Sequence, residues 1–327
     1  MLWREFWALP IFGLMAVWTA AETRLFDLLL FQKRTDYQFV LTSIDGVLAG
    51  TPISKSWQQR LLGPAAVAAL DHVVANRLLA LRIFAAILVL CANGLLFGIM
   101  RRKGAGPVQS LLAVVAFGFG HLLLLYRLEY PWDGLDVLLF LAFGYWAQRG
   151  GSLLSLAPLL FAGAFNHETV LYIPLFYLLA FLDQDRARAA RDAWQSAIAA
   201  ALLAVAILAM RQLLYLGKPD LPGQVFEVAT PVIANHLHIT HNIEQFLRAD
   251  FRAAGTWFTA GLLSCFAYLI ALAVQRGLIR AAVWSGLVVF SVFCFGYLNE
   301  TRHYLSLLAF WFGYGAGGRA ATRRVQD

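Results

Sequence analysis

Residues 78–100 form a run in which Arg82 is the only charged side chain. At about 1.5 Å rise per residue, such a run is long enough as an α-helix to cross the roughly 30 Å hydrocarbon core of a bilayer. A helix also satisfies its own backbone hydrogen bonds, which a segment surrounded by lipid must do. Comparable apolar segments lie at 4–21, 107–126, 135–148, 152–165, 170–182, 194–216, 256–274, 281–298 and 304–317. The expected fold is therefore all-α: a polytopic integral membrane protein with ten apolar helical segments, forming a single transmembrane domain over 1–327. Composition agrees, since only 14% of residues are charged, against about 25% in soluble domains.

The formal charge of +7 does not point to nucleic acid, because no basic stripe with interleaved aromatics occurs. It is better explained by Lys and Arg in loops facing the cytoplasm. Cys91, Cys265 and Cys294 all lie in apolar stretches with no CxxC spacing, and read as small hydrophobes. Arg4 followed by an apolar run to Ala21 mimics a secretory signal peptide, and Thr19-Ala20-Ala21 resembles a cleavage site. Because nine more apolar segments follow, the reading is an uncleaved first span.

Two pairs of short segments are each interrupted by a polar cluster. Asn166-His167-Glu168-Thr169 separates 152–165 from 170–182, and Asn299-Glu300-Thr301-Arg302-His303 separates 281–298 from 304–317. Arg149 and the group Arg186, Arg188 and Arg191 flank the first pair; Arg276, Arg280 and the group Arg319, Arg323 and Arg324 flank the second. Positive charge at both ends places both ends in the cytoplasm. Each pair is then a short helical hairpin with its polar cluster at the outer vertex. With both termini cytoplasmic, the long outer loops span about 22–77 and 217–255. All seven histidines then fall outside or near an outer helix end.

Ionisable residues at membrane depth are costly and are usually functional or paired. Glu168 and Glu300 are candidate catalytic carboxylates, as is Asp36 of the first outer loop. Arg60 and Arg302 are suited to hold a phosphate or pyrophosphate through bidentate contacts, with Tyr37, Asn166, His167, Arg127, Asp133, His303 and Tyr304 as further substrate-binding candidates. The opposing reading makes Glu168 and Glu300 structural partners of arginines or of exposed helix-end amides. Arg82 and Arg211, near outer helix ends, read as snorkelling side chains. His236, His238 and His241 are weak metal candidates, since on a helix 238 and 241 share a face and 236 does not. The sequence requires no cofactor and leaves a divalent metal open. His167-Glu168 begins like HExxH, but Leu171 stands at the fifth position; there is no GxSxG elbow, P-loop or GxGxxG.

Several segments carry a resemblance. Asp36-Tyr37 follows the first span. Gln59-Arg60-Leu61-Leu62-Gly63-Pro64 closes the first outer loop, and Tyr130-Pro131-Trp132-Asp133 opens the fourth span. Phe165-Asn166-His167-Glu168-Thr169 leads through Val170-Leu171-Tyr172-Ile173 to Pro174, and Glu300-Thr301-Arg302-His303-Tyr304 comes late in the chain. In this order the features resemble the GT-C superfamily of membrane glycosyltransferases and related bacterial polysaccharide-assembly proteins. The resemblance implies an enzyme of the bacterial inner membrane with its site facing the periplasm or exterior. It would use a polyprenyl-phosphate-linked sugar donor and a glycan or lipid acceptor, within membrane lipid and without nucleic acid. It also implies an acidic base from the first outer loop, Asp36 or, second, Asp45. The chain departs from the family in that Tyr37, not a second acidic residue, follows Asp36. The rival readings are a lipid-linked oligosaccharide polymerase or ligase, and a non-enzymatic transporter or scaffold subunit of envelope polysaccharide assembly.

Overall fold

The computed structural model describes residues 8–31, 34–51, 60–124, 130–215, 238–248, 254–296 and 301–315. Among these every regular element is helical. The helices are α1 (Ala8–Phe31), α2 (Arg34–Leu48), α3 (Leu62–Val74), α4 (Arg77–Arg102), α5 (Pro107–Leu124) and α6 (Pro131–Gln148). They continue with α7 (Ala157–Ala164), α8 (Tyr172–Leu178), α9 (Arg186–Tyr215), α10 (Ile239–Leu247), α11 (Ala254–Gln275), α12 (Ile279–Phe295) and α13 (Leu305–Gly315). Short 3₁₀ turns at Leu153–Leu156, Glu168–Leu171, Leu179–Leu182 and Thr301–Tyr304 extend the shorter helices.

Four helical stretches, Arg77–Arg102, Pro107–Leu124, Arg186–Met210 and Thr256–Gln275, are long and apolar enough to cross a membrane. The outside of the bundle is apolar as well: Leu112, Phe161, Leu202, Tyr268 and Phe290 are all exposed. Water would penalise such a surface and lipid does not. Length, composition and surface together describe a membrane-embedded helical protein.

One side-chain contact spans each pair of short apolar segments. In the first, the Tyr177 hydroxyl near the end of α8 donates to the carbonyl of Gly151, just before the hairpin begins, at 2.8 Å. In the second, Trp284 in the first half of α12 lies 4.2 Å, centroid to centroid, from Phe310 midway along α13. Trp284, Phe310, Phe143 of α6 and Phe176 of α8 make the aromatic centre where the hairpins meet α6. Trp284 is fully buried, and its indole N–H donates to the carbonyl of Tyr172 at 2.7 Å, satisfying its one polar atom.

Along this centre α13 lies directly against α6. A Cβ added at Gly144 would stand 2.4 Å from the Phe310 carbonyl oxygen, and one at Gly313 would stand 2.3 Å from that of Leu141. Only glycine permits this approach. Such small-residue contacts are how helices pack closely in lipid, where the surrounding tails supply no hydrophobic drive between them.

The first outer loop needs correction. Its residues do not leave the bundle after Ala21: α1 continues to Phe31, and α2 and α3 occupy much of the stretch expected as loop. The physical reason is Glu22, only 1% exposed, whose carboxylate accepts from the Asn93 side-chain amide of α4 at 2.8 Å and lies 3.5 Å from the His121 ring of α5. The Asn93 amide also donates to Thr19 at 3.1 Å. Interhelical partners allow a charged side chain to stay inside, so α1 need not end at its first carboxylate. The second loop likewise contains α10. The Asn242 amide at its centre donates to the carbonyls of Phe293 and Gly296, at 2.7 and 2.8 Å, and docks α10 onto the end of α12.

At the opposite end of the hairpins, Arg280 makes a two-pronged pair with Asp183, with both contacts at 3.0 Å. The Lys103 ammonium donates to the last carbonyls of α13, those of Gly313 and Tyr314. A cation suits a helix C-terminus, where carbonyls lack intrahelical donors.

Candidate functional site

Four helical starts converge at one end of the bundle: those of α3, α6, the 3₁₀ turn Glu168–Leu171 and the 3₁₀ turn Thr301–Tyr304. Helix starts expose unsatisfied N–H groups and positive dipole ends, an environment that favours carboxylates. The sequence supplies them at Asp133, Asp136 and Glu168.

Backbone bonds fix the parts. The amides of Leu61 and Leu62, at the start of α3, donate to the carbonyl of Phe165 at 2.8 and 2.9 Å. This contact joins the free donors of one helix start to the end of α7, and so delivers Arg60 to the first vertex. The Thr301 hydroxyl donates to the carbonyl of Leu124 at 2.9 Å and ties the second vertex to the end of α5. Gly63 allows α3 to approach α6, since a Cβ there would stand 2.8 Å from that of Pro131.

Each arginine has a carboxylate and an aromatic ring. A guanidinium Nη of Arg60 lies 2.8 Å from Glu168, and the group sits 5.4 Å from the centroid of Trp132. Arg302 lies 3.3 Å from Asp133 and 4.6 Å from the ring centroid of Tyr130. The Tyr130 and Trp132 rings stack at 4.6 Å with an 8° interplanar angle, giving a platform for both cations. Asp133 also accepts from the Tyr130 backbone amide at 3.0 Å, so it caps α6 while holding Arg302.

Asp136, three residues further on and therefore on the same face of α6, is buried. Its carboxyl accepts from the Asn166 amide at 2.8 Å and from the Thr169 hydroxyl at 2.5 Å. The Asn166 amide also donates to the Trp132 carbonyl at 2.7 Å. Nδ1 of His167 accepts from the backbone amide of Thr169 at 3.2 Å, making His167 the N-cap of its 3₁₀ turn and leaving its other ring nitrogen as the N–H.

The vertex lies outside the apolar segments, and its titration behaviour follows from its neighbours. Burial, with the Arg60 charge adding to it, pushes the His167 imidazole down to about 3, so it stays neutral across the ordinary range. For Glu168, burial acts to raise the pKa, but the facing Arg60 guanidinium outweighs it and holds the carboxyl well below the usual range. Glu168 is thus a fixed anion and the counter-charge of Arg60, as the structural reading of this residue expects.

Arg60, Asp133, Asp136, His167, Thr169, Arg302, His303 and Ser306 surround a cavity of about 30 Å³, room for about two water molecules. The segments 52–59, 125–129 and 297–300, adjoining Arg60, Tyr130 and Thr301 in the chain, lie outside the described residues.

Of the expected site residues, Arg60, Asp133, Asn166, His167, Glu168, Arg302 and His303 come together. Tyr304 does not line the cavity; it is buried and stacks on Phe266 at 5.4 Å. Arg127, His236 and Glu300, and the side chains of Asp36 and Tyr37, lie outside what is described. His238 donates its backbone amide to Cys294, and His241 is exposed. Among the described residues no group of three His, Cys, Asp or Glu side chains is arranged to hold a metal. Asp136, Thr169 and Ser306 are additional members. Asp136 was readable from its three-residue spacing after Asp133, and Thr169 from its place in the vertex. Nothing local marked Ser306.

Chemically, the arrangement offers two ring-backed guanidiniums that can exchange a carboxylate for another oxyanion, beside a hydrogen-bonded carboxyl. No protein-family model matches the chain, and neither a curated protein nor a solved structure is similar to it.

Proposed function

We propose that this protein is a membrane glycosyltransferase of GT-C type, moving a sugar from a polyprenyl-phosphate-linked donor to an envelope glycan or lipid acceptor. The observation that carries the reading is the pairing of Arg60 with Glu168 and Arg302 with Asp133 around one cavity. Guanidiniums stacked on aromatic rings are suited to bidentate phosphate contacts, and here two converge from distant parts of the chain. In this reading the termini are cytoplasmic, the membrane is the bacterial inner membrane, and the cavity faces the periplasm or exterior.

The acceptor hydroxyl oxygen attacks the anomeric carbon of the donor as the carbon–oxygen bond to phosphate breaks. The electron pair leaves with the polyprenyl phosphate, whose developing charge Arg60 and Arg302 stabilise. The acceptor proton passes to a carboxylate. Glu168 is ill-suited to receive it, being held ionised by Arg60, and the family resemblance assigns the task to Asp36. That residue stands one turn before Phe39 on α2, and Phe39 packs against Tyr130 with centroids 6.4 Å apart.

One observation favours a second reading, a scaffold subunit of envelope polysaccharide assembly. Both arginines already have carboxylate partners, and the cavity they line is small, about 30 Å³.

The test compares Asp36→Asn, Arg60→Lys and Arg302→Lys in cells, with envelope glycan composition and membrane abundance measured together. Loss of one glycan modification in Asp36→Asn at normal abundance supports the glycosyltransferase. Loss only in the arginine variants favours the polymerase or ligase. Unchanged glycans in all three overturn both enzyme readings.

A further inference from the structure

The nine-residue helix α10 turns three different sides to its surroundings. Asn242 is fully buried, and its side-chain amide grips the carbonyls of Phe293 and Gly296 at the end of α12. Just before the helix, the His238 backbone amide donates to the Cys294 carbonyl at 2.8 Å. Ile243 and Leu247, by contrast, are 44% and 77% exposed. His241, Glu244 and Arg248 are exposed as well, and Arg248, whose amide still bonds to the Glu244 carbonyl, pairs with the Glu244 side chain at 3.9 Å.

An α-helix turns by about 100° per residue, so Ile243 and Leu247 stand roughly 100–140° round the axis from Asn242, and Glu244, Arg248 and His241 roughly 200–260°. The bundle, an apolar exterior and a polar exterior therefore lie in three separate directions. The neighbourhood identifies what covers the apolar one. α11 begins at Ala254, six residues past Arg248, and its stretch Thr256–Gln275 is long and apolar enough to cross a membrane. Trp257, in its first turn, is exposed, as indoles at the lipid–water boundary are. On α12, Phe290 and Phe295 are exposed, so the apolar outside of the bundle runs up to the carbonyls that hold α10. The apolar side of α10 continues that surface at the edge of a span.

We infer that α10 is an interfacial helix whose partner is the bilayer: Ile243 and Leu247 sit among the acyl chains at the membrane boundary, and His241, Glu244 and Arg248 face water. An apolar side in the boundary and a charged side in water are the pattern of helices that lie in the interface plane. Asn242 sets the orientation, because rotating the helix would break both of its bonds to α12. Nine residues are too few to hold a helix alone in water, so the dock and the lipid contact together keep it formed. The helix also reaches the candidate site through one residue. A Cβ added at Gly296 would stand 3.3 Å from the His303 ring, and His303 lines the cavity. The inference does not depend on the proposed reaction.

The full chain, with p-benzoylphenylalanine in place of Leu247 or of His241, is reconstituted in vesicles of phosphatidylcholine and phosphatidylglycerol, irradiated and read by mass spectrometry. Lipid adducts should form several-fold more at position 247 than at 241. A second pair, Ile243 against Glu244, carries the same expectation and decides the matter if a labelled protein of the first pair fails to fold. Equal lipid yields within a pair overturn the proposal. Attachment of position 247 or 243 to a second copy of the chain, or to residues 216–237 of the same chain, in place of lipid overturns the bilayer as the occupant. Asn242→Ala should narrow the contrast between the two sides; an unchanged contrast overturns the role of the dock.

Discussion

Arg60 and Glu168, 108 positions apart in the chain, are joined by a 2.8 Å contact between a guanidinium Nη and a carboxylate oxygen. Arg60 is 8% exposed and Glu168 37%. The pair therefore links the start of α3 to the turn at Glu168, with one member inside and the other reaching water. Replacing Arg60 with Ala should destabilise the protein by about 1–3 kcal/mol, less than a fully buried pair loses, because water screens the carboxylate left behind. A double-mutant cycle with Glu168→Gln, read by thermal unfolding in detergent, should give a positive coupling energy. Strict additivity would count against the pair.

The vertex also sets a pH dependence. His167 is neutral in the fold down to about 3, whereas in the unfolded chain it takes up a proton near 6.5. Its contribution to stability is complete above the unfolded value and is lost as pH falls from there through the folded one. Glu168, also shifted downward, contributes in the same sense at pH values below the ordinary carboxylate range. Between pH 7 and pH 5, His167→Asn should lose less melting temperature than the unaltered protein. An equally steep slope in the variant would assign the effect to other groups.

Close helix contact at Gly144 leaves no room for a side chain. Gly144→Val should force α6 from α13 and cost about 1–3 kcal/mol or more, seen as reduced membrane abundance and a lowered melting temperature. Gly261→Ala, where an added Cβ meets nothing within 4 Å, is the matched control and should be neutral or slightly stabilising.

Glu22, Asn93 and His121 link α1, α4 and α5. Glu22→Ala leaves the Asn93 amide short of an acceptor and removes the carboxylate beside His121. Loss of a buried hydrogen-bond acceptor in this way costs about 1–3 kcal/mol. Glu22→Gln retains an acceptor and should cost less than half as much. Unfolding midpoints of the two variants would check the order; equal losses would mean that the carboxylate's charge matters more than its hydrogen bonds.

Much of the fold was legible in residue order. The runs at 78–100, 107–126, 194–216 and 256–274 announced helices long enough to cross a bilayer, and the polar break at Asn166–Thr169 announced the interruption between the short helices α7 and α8. Glu22 misled the reading because a carboxylate after an apolar run ordinarily marks the end of a span. Its partners, Asn93 and His121, lie some seventy and a hundred positions away, and neither advertises the role.

By itself, the sequence determined which segments are apolar and where polar breaks interrupt them, and it put Asp133, Glu168 and Arg302 beside those breaks. Hydropathy and spacing encode those properties locally, residue by residue. Only the tertiary structure decided who pairs with whom: Arg60 with Glu168 rather than Asp133, Asp136 with Asn166 and Thr169, and Glu22 inside the bundle rather than outside it. Ion pairs and hydrogen bonds depend on distances of a few ångströms between side chains from different helices. Those distances are set by how glycines such as Gly63, Gly144 and Gly313 let the helices approach.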